Sequence, residues 1–157
     1  MIVYIFFIFL SLIFSFLYFF SKDRDAEYGK VHQLMFVVLT IVFVLEITGG
    51  ITANIGYNNS LFYNLLFVYV ETCLLLYFFY LIFRDDVIKK RIIVTIWGYI
   101  VLGLVNSLFF QPIETEFHNY SYAFGSLALI FFAITFFLRV FDLRKYGDRN
   151  LLSVPYF

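Results

Sequence analysis

All eleven Lys and Arg residues of this chain fall in alternate gaps between five long apolar runs. The runs cover about 1–20, 33–53, 61–83, 92–110 and 121–138. Lys22, Arg24 and Lys30 lie between the first and second runs; Arg84, Lys89, Lys90 and Arg91 lie between the third and fourth; Arg139, Arg144, Lys145 and Arg149 follow the fifth. The other two gaps, 54–60 and 111–120, hold no Lys or Arg. Cytoplasmic loops keep their Lys and Arg during membrane insertion, so this alternation orients the chain. Five spans with the N-terminus outside and the C-terminus cytoplasmic satisfy the rule without exception.

Composition agrees. The chain has 157 residues, 63% of them hydrophobic, with 24 Phe and 13 Tyr. A soluble core of this size cannot hide so much apolar surface. Each run is roughly 18–23 residues, enough for a helix to cross a ~30 Å hydrocarbon layer at ~1.5 Å per residue. Strands of a membrane barrel alternate in polarity, whereas these runs are apolar on all faces. The expected fold is all-α, a polytopic transmembrane helical bundle of five spans in one domain. No positive region precedes the first run and no small-residue cleavage site follows it, which marks an uncleaved helix rather than a signal peptide. The segment 139–157 reads either as a basic interfacial tail or as the start of a sixth helix, with Pro155 placed as at a helix's first turn. The expected location is the inner (plasma) membrane.

The zero formal net charge hides an asymmetry. The inner side is basic, and Glu114 and Glu116 lie outside. The inner rim is expected to sit against anionic lipid headgroups and to serve any membrane or cytoplasmic protein partner, with no nucleic-acid role. The lone cysteine, Cys73, cannot form an internal disulfide.

Two carboxylates fall inside the apolar runs. Glu46 lies eight residues from Asn54 at the outer end of helix two, and Glu71 ten residues from Leu61 at the outer end of helix three. The helix rise puts both about 12–15 Å below the outer surface. With no Lys or Arg at that depth, at least one is expected to be protonated, and the pair to approach across the hairpin. Other polar residues extend the feature. Glu46, Gly50 and Asn54 share a face, as do Asn64 and Glu71, and Asn106 sits in the outer part of helix four near Gly103. A stripe of His118, Ser121, Gly125, Ala128 and Thr135 marks helix five. Glu46, Glu71, Asn54, Asn64 and Asn106 thus form a candidate proton, cation or ligand site open to the outside; inter-helix hydrogen bonding is the structural alternative.

The outer loop puts Glu114 and His118 four apart, which suits a divalent metal only if the segment is helical; no metal or other cofactor is expected. His32, at the inner end of helix two, is expected at the interface. No phosphate-binding loop, zinc-protease helix or nucleophile elbow is present, so no catalytic residue is assigned.

Tyr63-Asn64-Leu65, Tyr69-Val70-Glu71-Thr72-Cys73-Leu74-Leu75, Gln111-Pro112-Ile113-Glu114, His118-Asn119-Tyr120-Ser121-Tyr122 and Gly125-Ser126 together resemble uncharacterised multi-spanning membrane proteins of Bacteroidota. The resemblance covers helices two to five and implies no known activity and no functional residue. It implies relatives that continue past Phe157 with further helices. The expected function is a sensory or scaffolding module without its own catalytic domain, the alternative being a proton- or cation-coupled transport component using Glu46 and Glu71.

The topology has a direct test. In a Cys73→Ser background, single cysteines at Asn59 and Glu116 should label from outside intact cells, and cysteines at Asp25 and Lys89 should not. Outside labelling at Lys89 would contradict the alternation.

Overall fold

In hydrocarbon every backbone amide and carbonyl needs an internal partner, and a helix provides it within one segment. The computed structural model describes residues 2–20 and 26–141, and within them the chain is helical between short connections, with no strand. Five helices follow in order: α1 (Ile2–Phe20), α2 (Ala26–Asn54), α3 (Ser60–Ile82), α4 (Asp86–Phe109) and α5 (Asn119–Val140). Four stretches, Gly29–Asn54, Ser60–Ile82, Asp86–Phe109 and Asn119–Val140, are long and apolar enough to cross a membrane, while the described apolar part of α1, Tyr4–Tyr18, is shorter. Large side chains such as Val94, Trp97, Leu108 and Leu138 point outward, as a lipid-facing surface allows and water disfavours.

Two helix starts differ from the apolar runs. α2 begins at Ala26 rather than Gln33, and α4 at Asp86 rather than Ile92. The apolar run marks the stretch suited to hydrocarbon, but helical hydrogen bonding continues past it into polar residues. At 29 residues α2 is about 43 Å long, longer than the ~30 Å core it would cross. The start of α4 is fixed by Asp85, whose carboxylate accepts hydrogen bonds from Val87 N (2.8 Å) and Ile88 N (3.3 Å). The Arg139 guanidinium lies 2.8 Å from the same carboxylate and ties the end of α5 to the start of α4. Arg139 and the two amides together hold the Asp85 carboxyl below its ordinary range. Of the segment 139–157, expected as a basic tail or the start of a sixth helix, the first residues complete α5 and everything from 142 on lies outside the described residues.

α3 carries the least regular backbone. Tyr63–Glu71 winds as a π-helix and Thr72–Ile82 as an α-helix. The buried residues Asn64, Val68, Thr72 and Leu76 recur every four positions. In an ordinary α-helix that spacing drifts about 40° per step, and the wider i→i+5 winding reduces the drift. One line of α3 therefore stays turned into the bundle. Tyr99 of α4, fully buried, donates to the Val68 carbonyl inside the π segment at 2.6 Å.

The half of the bundle away from residues 111–118 is packed by apolar side chains. Leu76, Phe83, Ile88, Ile92 and Phe132 form a buried cluster, with Phe79 and Phe136 packed against it. Phe79–Phe132 and Phe83–Phe136 ring pairs lie 6.3 and 5.9 Å apart. α1 packs on α2 through the Phe9–Phe43 pair and through His32. His32 is therefore an inter-helix residue as well as a near-interfacial one: its Nε2 proton points at the Ser15 carbonyl (2.9 Å) and hydroxyl (3.2 Å).

Close approach of the helices depends on three glycines, Gly49 beneath the Tyr63 phenol, Gly103 and Gly125. A Cβ at Gly125 would lie 2.8 Å from Thr72 Cγ2 and 3.1 Å from the Tyr99 ring, and a Cβ at Gly103 would run into the Tyr69 ring. Gly98, on the same helix as Gly103, has nothing within 4 Å. Gly103→Ala should therefore cost about 1–3 kcal/mol of stability, whereas Gly98→Ala should be neutral or stabilise by about 0.4–1 kcal/mol. Thermal unfolding of the two variants in detergent checks this, and equal effects would contradict the packing described.

Candidate functional site: a polar clasp at the outer end

The connection 111–118 has no regular hydrogen-bond ladder, so its backbone groups must find partners elsewhere. Asn64, at the start of the π segment and fully buried, supplies three of them. Its Nδ2 donates to the carbonyls of Ile113 (2.8 Å) and Glu116 (2.7 Å), and its Oδ1 accepts from the His118 amide (3.0 Å). One side chain thus uses both amide protons and its oxygen to hold a loop some fifty residues away.

Gln111 and Asn106 continue the clasp. Gln111 Nε2 donates to the Phe117 carbonyl (3.2 Å), and Gln111 Oε1 accepts from Asn106 Nδ2 (3.2 Å) and the Tyr120 amide (3.4 Å). Asn106 Nδ2 also donates to Ser121 Oγ at 2.9 Å. Ser121 Oγ lies 3.1 Å from Tyr69 Oη, which in turn reaches the Gly103 carbonyl (3.2 Å) and His118 Nδ1. On the exposed side Asn58 Nδ2 donates to the Glu114 carbonyl at 3.3 Å and joins the two outer loops.

Tyr69 has one hydroxyl proton for three neighbours, the Gly103 carbonyl, His118 Nδ1 and Ser121 Oγ, and the Gly103 carbonyl can only accept. Whichever tautomer His118 adopts, its Nε2 is left without a partner. His118 is fully buried, and its Nε2 has no hydrogen-bond partner; Asn106 Oδ1 and Glu71 Oε2 share that condition among the described residues. Burial holds the His118 pKa below its ordinary 6.5, against weaker upward pulls from the Gln111 backbone and the Glu116 charge.

The candidate residues separate. Asn64 and Asn106 belong to the clasp; Asn54 is exposed at the end of α2 and stands outside it. Glu46 is half-buried on α2, and three residues on, Gly49 has the Tyr63 phenol packed over it. Glu71 lies two residues past Tyr69, on a different face of α3, and is half-buried. No hydrogen bond joins the two carboxylates among the described residues. Of the helix-five stripe, Ser121 and Gly125 are buried in the bundle, and His118 caps α5. Residues 111–118 form turns, so Glu114 and His118 do not share a helix face, and no group of three metal-ligating side chains occurs among the described residues. Tyr69, Tyr99 and Gln111 are site residues that the sequence does not single out. Aromatics abound in this chain, and a Gln just past a helix carries no distinctive spacing.

No protein-family model, no curated protein and no solved structure matches this chain.

His118 gives the clasp a pH dependence of definite sign. Below about pH 6.5 the unfolded chain takes up a proton that the folded imidazole refuses, so stability falls as pH falls from there and levels off below the depressed folded value. Thermal unfolding between pH 7.5 and 5 should show this slope in the wild type and a flatter one in His118→Gln. Identical slopes would contradict the buried neutral imidazole.

Proposed function

We propose that this chain is a small integral membrane protein of five spans, N-terminus outside, that acts as a sensory or scaffolding module without a catalytic centre of its own. The observation that carries this is where the intramembrane polar side chains go. Asn64, Asn106, Tyr69, Ser121 and Gln111 are bonded to one another and to the 111–118 backbone, and they fix an outward-facing loop to α3, α4 and α5. Beneath them the apolar cluster around Leu76, Ile92 and Phe132 closes the inner half. A conduit needs polar groups free to exchange partners along its length; a fixed outer face on a closed bundle suits recognition or assembly. The fifth crossing is supported by α1, an apolar helix of 19 residues packed on α2. The basic inner side would then face anionic headgroups and protein partners.

The transport alternative has one observation in its favour: Glu71 Oε2 is buried without a partner. In hydrocarbon such a group is costly when ionised and often marks a proton path. Reconstitution in liposomes under a pH gradient separates the two. The module predicts no proton flux above protein-free vesicles, with Glu71→Gln keeping or raising thermal stability because no bond is lost. Flux that Glu71→Gln abolishes would replace it with the transport reading.

A further inference from the structure

A groove of about 570 Å³ runs between α4 and α5 near their inner ends. Its walls are Val87, Val94, Ala128 and Phe131, its floor is the buried Phe132, and Lys90 and Arg91 stand on its α4 side. Val87, Lys90, Arg91, Val94 and Thr95 fall at helical spacing on one face of α4, so the groove follows the helix for about 12 Å. Asp85 is already paired with Arg139, Asp86 in the first turn of α4 is exposed and makes no ion pair with Lys90 among the described residues, and no carboxylate lines the groove. Lys89, on the adjoining face, sits over the Tyr80 ring, 5.6 Å from its centre. Lys90 and Arg91 are exposed and carry no ion pair among the described residues.

The groove therefore changes character along its length. The apolar run of α4 begins at Ile92, immediately after Arg91, so the basic side chains stand at the headgroup boundary and Val94, Ala128 and Phe131 stand below it. We propose that this groove binds one anionic glycerophospholipid, with its phosphate held by Lys90 and Arg91 and the first part of an acyl chain lying on Val94, Ala128, Phe131 and Phe132. The match is of charge and of depth together. Basic pockets between helices on the inner side take anionic headgroups, and an acyl chain is the ligand that continues from such a headgroup into an apolar slot open to the bilayer. A water-soluble phosphate would satisfy the cations and leave the slot empty. Arg91 suits a phosphate through its planar fork, and Lys90 adds a point charge. The proposal rests on the membrane-crossing reading and adds to it a defined stoichiometric site.

The single tryptophan, Trp97, is a built-in reporter: it is exposed on α4, three residues beyond Val94 and so near the slot's apolar end. The full chain is reconstituted in phosphatidylcholine vesicles containing a minor fraction of either brominated phosphatidylglycerol or brominated phosphatidylcholine, and Trp97 quenching is compared. The expected result is several-fold stronger quenching by the anionic lipid at equal mole fraction. The preference should be lost in Lys90→Gln/Arg91→Gln, kept in Lys89→Gln, and lost in Ala128→Leu, which fills the slot with charges intact. Thr95→Leu fills it from α4 should the first filler fail to insert. Added glycerol phosphate should not compete. Equal quenching by both lipids overturns the site, as does a preference that Lys89→Gln reduces as much as the double variant, or one that the fillers leave unchanged. Failure of the membrane reading looks different: neither lipid would quench Trp97, and aqueous iodide would.

Discussion

A loop without a regular ladder must give its backbone groups partners, and here one buried carboxamide meets three of those demands at once. Asn64 bonds two carbonyls and one amide of 111–118. The rest of the outer half is arranged around that fact. The π-helical winding keeps Asn64 in line with Val68, Thr72 and Leu76, so the same face of α3 that holds the loop also packs against the bundle. Gly103 and Gly125 let the Tyr69 and Tyr99 rings come close enough for their hydroxyls to reach backbone carbonyls. Away from the clasp the buried cluster of Leu76, Phe83, Ile88, Ile92 and Phe132 is held by aromatic and aliphatic packing.

The bundle thus has two unlike ends. The end that carries residues 111–118 is a hydrogen-bonded clasp in which removal of one member leaves buried groups of its neighbours unpaired, the expensive outcome for a polar network. The opposite end is apolar in its core and charged at its rim. There Asp85 links α4 to Arg139 of α5, a half-exposed pair whose energetic contribution is small beside its geometric one.

Much of the coarse architecture could be read from residue patterns, because length, hydropathy and the absence of soluble-domain segments leave few alternatives. The four long apolar helices and the short outer connection at 54–60 follow from them. Helix starts at Ala26 and Asp86 were less legible, since hydrogen bonding extends past the hydrocarbon boundary that hydropathy marks. Asn64 and Asn106 announce themselves as polar residues in apolar runs, but their partners are backbone groups and Gln111, which no side-chain pattern reveals. Tyr69 is invisible among so many aromatics. Depth along α2 and α3 suggests a meeting of Glu46 and Glu71; no hydrogen bond joins them among the described residues, and Glu71 keeps an unpartnered oxygen.

The central claim is that Asn64 holds the outer loop onto the bundle. Hydrogen–deuterium exchange of the 111–118 amides in the membrane-reconstituted protein tests it most directly, with Asn64→Ala compared against Asn54→Ala. The account predicts that the His118 amide and its loop neighbours exchange much faster in Asn64→Ala and at the wild-type rate in Asn54→Ala. Unchanged protection of this loop in Asn64→Ala would contradict it.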